Sequence, residues 1–234
     1  MERYQRQIPM IGEEGQKRLE ASKAAVAGLG GLGCNVITHL AAAGVGNFIL
    51  IDGQCADESN LNRQFVYDAN DISRRKTERS AEWIRRLNPA ASVEEHHMTL
   101  NDRNTEVMRG CDLIVDCLDN RDSRMAVNRF AFRNGIKLVH GGVESLFGQV
   151  TVVIPGETPC LECILPDTDM EAVSSLSPMV GTIGSIQALE AVKVLAGVHS
   201  PLSGRLLSID ASDNSYRVIP IKKRNGCGCC SAKN

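Results

Sequence analysis

The sequence predicts an α/β protein: a Rossmann-like, twisted mixed sheet with helices on both faces, then antiparallel strands and a four-cysteine knuckle. Three observations carry this expectation. Short apolar runs alternate with helical patterns through residues 24–140, the rhythm of parallel strands joined by crossover helices. The first run enters Gly28-Leu29-Gly30-Gly31-Leu32-Gly33, a glycine loop that opens a helix. Two Cys-x-x-Cys clips, Cys160–Cys163 and Cys227–Cys230, stand far apart in the second half. Four thiolates in two tight clips are what a structural zinc ion takes.

The elements follow in order. Residues 24–27 form a strand, and residues 32–43 carry apolar residues at helical spacing until Gly44 and Gly46 stop them. Residues 48–51 form a buried strand ending at Asp52. Residues 53–72 are a polar stretch without period, longer than a routine connection and therefore expected to be functional. A charged helix over 74–87 closes at Asn88-Pro89, and strands are expected at 93–96, 113–117 and 136–140, with a helix from Asn120 to about Arg133. After Gly141 the pattern changes. Residues 148–154 alternate as a strand, 166–178 read as a crossing loop, and 179–196 as a long amphipathic helix. Residues 205–210 and 215–221 read as a hairpin before the second clip. The chain is expected to be one domain, with a nucleotide-binding half at 1–141 and a second half at 142–234.

Composition narrows the function. The 234 residues carry a net charge of −2 and 4% aromatics, which argues against nucleic acid or membrane as a partner. No apolar run is expected to approach the roughly 20 residues of a membrane span. Residues 1–6 lack the apolar stretch of a signal peptide, so the expected location is cytoplasmic, and the 9 cysteines are expected as metal ligands and buried thiols.

In Gly28-x-Gly30-x-x-Gly33 the first glycine permits the tight turn, the second lets backbone approach phosphate or sugar, and the third allows close helix–sheet packing. Asp52 ends the next strand, where an acid takes ribose hydroxyls. These residues alone suit NAD or ATP, or a turn with no ligand. NAD chemistry needs a catalytic acid or base in the second half, and none stands out there. Arg63 and Lys76 are cations beside the polar loop, and Asp119 at a strand's carboxyl end suits Mg²⁺. His39, His96, His97, His140 and His199 form no spaced ligand set.

Ser59-Asn60-Leu61-Asn62-Arg63-Gln64, with Arg3-Tyr4-Gln5-Arg6-Gln7 and Asp116-Cys117-Leu118-Asp119-Asn120, resembles the ThiF/MoeB/HesA family of ubiquitin-activating-type adenylyltransferases. The resemblance runs from Arg3 to Cys230, and the motifs and Cys clips occur in family order. It implies ATP-dependent adenylation of the C-terminal glycine of a small ubiquitin-like sulfur-carrier protein with a Gly-Gly end, in thiamine- or molybdopterin-type synthesis. It implies that Gly31 and Asp52 hold the nucleotide, that Ser59, Asn60 and Arg63 contact its phosphates, and that Lys76 neutralises their charge. Asp119 would hold Mg²⁺ with Asn120 adjacent, and Cys160, Cys163, Cys227 and Cys230 would hold structural Zn²⁺. Arg6 matches the family's arginine finger, which reaches a partner subunit's site in a homodimer.

Gln54 departs from the family, many of whose members have an acid there, so the ribose or Mg²⁺ shell would be arranged differently. The crossing loop has no cysteine, which implies a reaction that stops at the acyl-adenylate, unless Cys55 or Cys229 substitutes. Cys229 is also an alternate metal ligand by position, while Cys34, Cys111 and Cys117 read as small core residues. Three other readings compete: a catalytically inactive carrier-binding scaffold, a tRNA-modifying adenylating relative and an NAD oxidoreductase. The retained Arg6, Arg63, Lys76 and Asp119 oppose the first. The Cys clips and the slight acidity oppose the second, and the Cys clips with the 59–64 loop oppose the third.

Overall fold

Residues 2–165 and 174–231 of the computed structural model are described here. The segment 166–173, most of the expected crossing loop, lies outside them. The chain forms β1 (Lys23–Ala27), β2 (Asn47–Ile51), β3 (Ser92–His96), β4 (Leu113–Asp116), β5 (Lys137–Glu144), β6 (Phe147–Val153), β7 (Arg205–Asp210) and β8 (Ser215–Pro220). The helices are α1 (Ile8–Ala21), α2 (Gly31–Ala43), α3 (Lys76–Leu87), α4 (Arg121–Asn134), α5 (Leu161–Ile164) and α6 (Ser177–Ala196).

The eight strands make one sheet in the order β3-β2-β1-β4-β5-β6-β7-β8. The first five in that order are parallel, and β5 to β8 pair antiparallel. The chain leaves β1 in one direction to build β2 and β3, and returns to its other side for β4. The order therefore reverses between β1 and β4, and the strands' carboxyl ends diverge there to leave a crevice.

The central strands have small and β-branched residues buried on both faces, as parallel strands between helices must. On one face Ala24, Val26, Leu50 and Val115 pack with Leu19 of α1, Val36 and Leu40 of α2, Ile84 of α3 and Ile183 of α6. On the other, Ala25, Ile49, Ile114 and Leu138 pack with Met125 and Phe130 of α4 and Leu161 of α5.

Two findings correct the sequence reading. α1, broken at Gly12 (φ 74°), was not expected. α6 has 20 residues with a mean hydropathy of 1.3, so one stretch does reach the length and apolarity of a membrane span. Its apolar residues Met179, Val180, Ile183 and Ala191 are buried in the core against α2 and the sheet, which accounts for its composition.

Candidate active site

The crevice at the carboxyl ends of β1, β2 and β4 is a cleft of about 1050 Å³. The glycine loop forms its floor. Gly28 has φ +90°, and a Cβ there would stand 2.7 Å from the Cys117 carbonyl. A Cβ on Gly33 would collide with the Gly28 carbonyl, so this glycine is what lets α2 start flush against β1. Gly31 faces Val180 of α6 at 2.6 Å from where its Cβ would be, and fixes how closely α2 and α6 approach. Above Gly30 the nearest atom would be Gln64 Nε2 at 3.7 Å, so space for a ligand remains over the loop. Gly28, Gly30 and Gly31 line the cleft, whereas Gly33 acts through packing.

Asp52, half-buried at the end of β2, accepts from the Leu29 N–H through Oδ2 and from the Gln54 N–H through Oδ1, each at 2.7 Å. The carboxylate thereby braces the loop while its remaining lone pairs face the cleft. Lys76 begins α3 and is only 2% exposed. Its ammonium donates to Gln54 Oε1 at 2.7 Å. Among the described residues this amide is its hydrogen-bond partner and no carboxylate pairs with it, an expensive arrangement for a buried cation unless an anion joins it. Two neighbouring acceptors, Asn60 Oδ1 and Gln64 Oε1, are buried without a donor. A lysine without a counterion beside unpaired amides is the signature of a site completed by a charged, hydrogen-bonding ligand.

The polar loop is shaped by its own side chains. Asp57 Oδ1 accepts from the backbone and hydroxyl of Ser59, and those two bonds hold its carboxyl below the ordinary range. Ser59 is thus turned onto Asp57 and is not among the residues lining the cleft. Arg63 does line it, with Nη1 donating to the Ser59 carbonyl at 2.8 Å and to Asn62 Oδ1 at 2.9 Å. Across the cleft, after β4, Asp119 is exposed and Asn120 caps α4, its Oδ1 accepting from the Ser123 N–H at 2.9 Å. Both line the cleft. The structure thus brings Gly28, Gly30, Gly31, Asp52, Asn60, Arg63, Lys76, Asp119 and Asn120 around one space. Arg6 is exposed in the turn before α1 and does not line the same chain's cleft.

Sequence reading missed one buried group of residues. Asp116 is fully buried at the end of β4, with Arg124 Nε at 3.1 Å and His140 Nδ1 at 2.8 Å, both on Oδ2. Burial alone would raise this carboxyl, but the guanidinium and the imidazole outweigh it and hold it below its ordinary value. Burial dominates for His140 and lowers its pKa against the pull of Asp116, so the ring is neutral. The signal available in the sequence was Asp116 itself, the first acid of the motif that begins at the end of β4, which turns inward while Asp119 turns out.

The cysteines sort as expected with one addition. Burial pushes the Cys34 and Cys111 thiols up to about 12 and Cys117 well above its ordinary value, so these are not nucleophiles at neutral pH. Cys55 is exposed but is not a lining residue of the cleft. The sulfurs of Cys160, Cys163, Cys227 and Cys230 all lie within 4.8 Å of one another, with Cys160–Cys227 at 3.5 Å and Cys163–Cys230 at 3.4 Å. Thiolates about 2.3 Å from a tetrahedral zinc would stand about 3.8 Å apart, so this set fits the ion. Cys229 is not one of the four, although its side chain lies against Cys160; its sulfur accepts from Asn128 Nδ2 at 3.3 Å.

The chain resembles known proteins over nearly its whole length. The model of the family described as ThiF matches residues 4–229. A Haloferax volcanii protein named SAMP-activating enzyme E1 is 38% identical over 98% of this chain and 88% of its own length. A Thermus thermophilus protein named sulfur carrier protein adenylyltransferase is 36% identical over 98% of this chain and 90% of its own. The chain spans about half, 53%, of a Drosophila yakuba protein named adenylyltransferase and sulfurtransferase MOCS3, at 38% identity. A crystal structure of E. coli MccB superposes with a TM-score of 0.90 over 98% of this chain and 75% of that one, at 22% identity, which establishes the fold.

Proposed function

This chain belongs to the ThiF family, and from that premise we propose that it is an ATP-dependent adenylyltransferase that activates the C-terminal glycine of a small ubiquitin-like sulfur-carrier protein. Lys76 carries the reading: a buried ammonium without a counterion, beside the glycine loop and across the cleft from Asp119. The relatives named as adenylyltransferases support it.

The chemistry asks little proton transfer of the protein. The carrier's terminal carboxylate is already ionised at neutral pH and attacks the α-phosphorus of ATP. The bond from that phosphorus to the bridging oxygen breaks, and pyrophosphate leaves with the electron pair. What the protein must do is hold the two substrates in line and neutralise charge on the phosphates. The cleft has parts for each task. The loop at Gly28–Gly31 and the start of α2 offer backbone N–H groups and the positive end of a helix dipole. Asp52 takes the ribose, and Asn60 with Gln64 supplies unpaired amide oxygens that accept from donors on the nucleotide. Lys76 and Arg63 take phosphate charge, and Lys76 leaves a neutral amide to do so.

Asp119 would hold Mg²⁺, which when bound neutralises the polyphosphate. The four clip cysteines would hold Zn²⁺, which ties the chain after β8 to the segment after β6. That ion is structural, since all four of its positions are thiolates and none is left for a substrate. Arg6, exposed and outside its own cleft, fits delivery into the cleft of a second copy, so the active form in this reading is a homodimer. The chain works in the cytoplasm, and its product serves thiamine- or molybdopterin-type sulfur transfer.

Mass spectrometry of a Gly-Gly carrier incubated with the protein and MgATP tests the reading. A carrier adenylate is expected, and none with a carrier lacking its terminal glycine. Calorimetric binding of NAD in place of MgATP would sink it.

A further inference from the structure

On the wall of the cleft formed by β5 and β6, one side-chain amide is held by buried groups that the steps above do not use. His140 Nδ1 donates to Asp116 Oδ2 at 2.8 Å. Asp116 is ionised, with Arg124 Nε on the same oxygen and the Leu118 N–H on the other. A neutral imidazole whose Nδ1 carries the proton has a lone pair on Nε2. Gln149 Nε2 lies 3.1 Å from that lone pair and donates to it. This settles which way round the Gln149 amide sits: its nitrogen on His140, its carbonyl oxygen turned away.

Gly142, the register partner of Gln149 on β5, makes the room. A Cβ there would stand 3.3 Å from Gln149 Cγ and Nε2 and 3.6 Å from His140 Nε2. Gly141 does the same on the opposite face for Gln187, whose Nε2 donates to the carbonyls of Asp116 and Val139 and locks β4 and β5 together. Two adjacent glycines thus exist to seat two glutamines, and one of the glutamines faces the cleft. Among the described residues the Gln149 carbonyl oxygen accepts no hydrogen bond, and one amide N–H is also unused.

A fixed acceptor with a free N–H beside it matches a peptide group, which offers a donor and an acceptor side by side. A glycine tail has only backbone to be recognised by. The nucleotide finds its polar partners on the opposite wall, at Asp52, Asn60, Arg63 and Lys76.

We propose that Gln149 recognises the acyl substrate: its carbonyl oxygen accepts from the last peptide N–H of the carrier's C-terminal tail and so aims the terminal carboxylate at the α-phosphorus. This rests on the adenylation reading above. His140 and Asp116 are positioning residues in it, since they act only by orienting Gln149.

The test is carrier-dependent ATP–pyrophosphate exchange with wild type and Gln149→Ala, each with an ordinary carrier and with a semisynthetic carrier ending in N-methylglycine, which lacks that N–H. Either lesion alone is expected to raise the carrier KM about tenfold, the worth of one neutral hydrogen bond aligned in a cleft. The two together are expected to be no worse than one, with the ATP KM unchanged within about twofold. An unaltered carrier KM in Gln149→Ala, or lesions whose effects multiply, overturns the proposal while leaving adenylation standing. Wild type that exchanges with no Gly-Gly carrier overturns the adenylation reading and the proposal with it. Should Gln149→Ala fold poorly by circular dichroism, Gln149→Glu gives a second reading. Its carboxylate faces the His140 lone pair, so its carrier KM is expected to recover as pH falls and a shared proton restores the contact. A pH-independent defect would count against the orienting role of His140.

Discussion

At the residue scale the decisive side chain is Lys76. A 2%-exposed ammonium held by an amide rather than a carboxylate keeps its full charge for an incoming anion. Gln54 explains how this is tolerated. It stands where many relatives are expected to have an acid, and it orients the lysine without neutralising it. Lys76→Ala is expected to lower kcat/KM for ATP by about 10²-fold or more, the usual worth of a charge aimed at a developing anion, with carrier binding retained. Exchange kinetics at varied ATP check this.

His140 gives a second outcome. Its folded-state pKa lies below the ordinary 6.5, so below pH 6.5 the unfolded chain binds a proton that the folded chain refuses. Stability therefore falls as pH drops through 6.5 toward the folded value. His140→Asn is expected to remove that share of the slope, read in urea midpoints measured from pH 7 downward through 6.5. That Asp52, Arg63, Lys76 and Asp119 share one cleft was legible in the sequence from strand ends and short motifs, and for Lys76 from its place beside the polar loop. Gln149 and His140 were not, because their roles come from register across β5 and β6 and from glycines that make room, neither of which leaves a local pattern.

At the scale of elements, alternation of apolar runs with helical spacing located all eight strands within about four residues of their ends. That pattern is strong when strands are buried on both faces. It failed at α1, where Gly12 breaks the period and only Gly15, Gln16 and Leu19 are buried, too few to mark a face. It also understated α6, whose apolar residues go nearly all round because it packs on α2, α1 and the sheet at once.

The clips make a prediction at this scale. Cys160 precedes α5 and Cys227 follows β8, so an ion there joins segments 67 residues apart. Chelation at neutral pH is expected to release one zinc per chain and lower the melting midpoint by about 5–10 °C, corresponding to roughly 2–3 kcal/mol. Atomic absorption and calorimetric melting check both. Cys229→Ser is expected to leave the zinc content unchanged, since the four clip sulfurs already make a complete set without it.

At the scale of the whole molecule, the two halves of the sheet divide the labour. The parallel half places the glycine loop, Asp52 and Asp119 at the crevice where strand order reverses, and the antiparallel half supplies the opposite wall at Gly142, Gly148 and Gln149. Arg6 lies outside that division, in the turn before α1. If it serves a second copy, Arg6→Ala is expected to lose exchange activity with little change in stability. A mixture with a Lys76→Ala protein should then recover part of that activity, because one cleft of each mixed dimer is intact. Mixing the two variants and measuring turnover against either alone checks the arrangement.

Adenylation of a carboxyl-ended carrier in this cleft is read by ATP–pyrophosphate exchange with the purified, zinc-loaded protein and a panel of Gly-Gly-ended carriers. Exchange that depends on one carrier and disappears when its terminal glycine is removed is the expected result. Exchange that proceeds equally without any carrier, or fails with all of them while MgATP is bound, would rule carrier adenylation out.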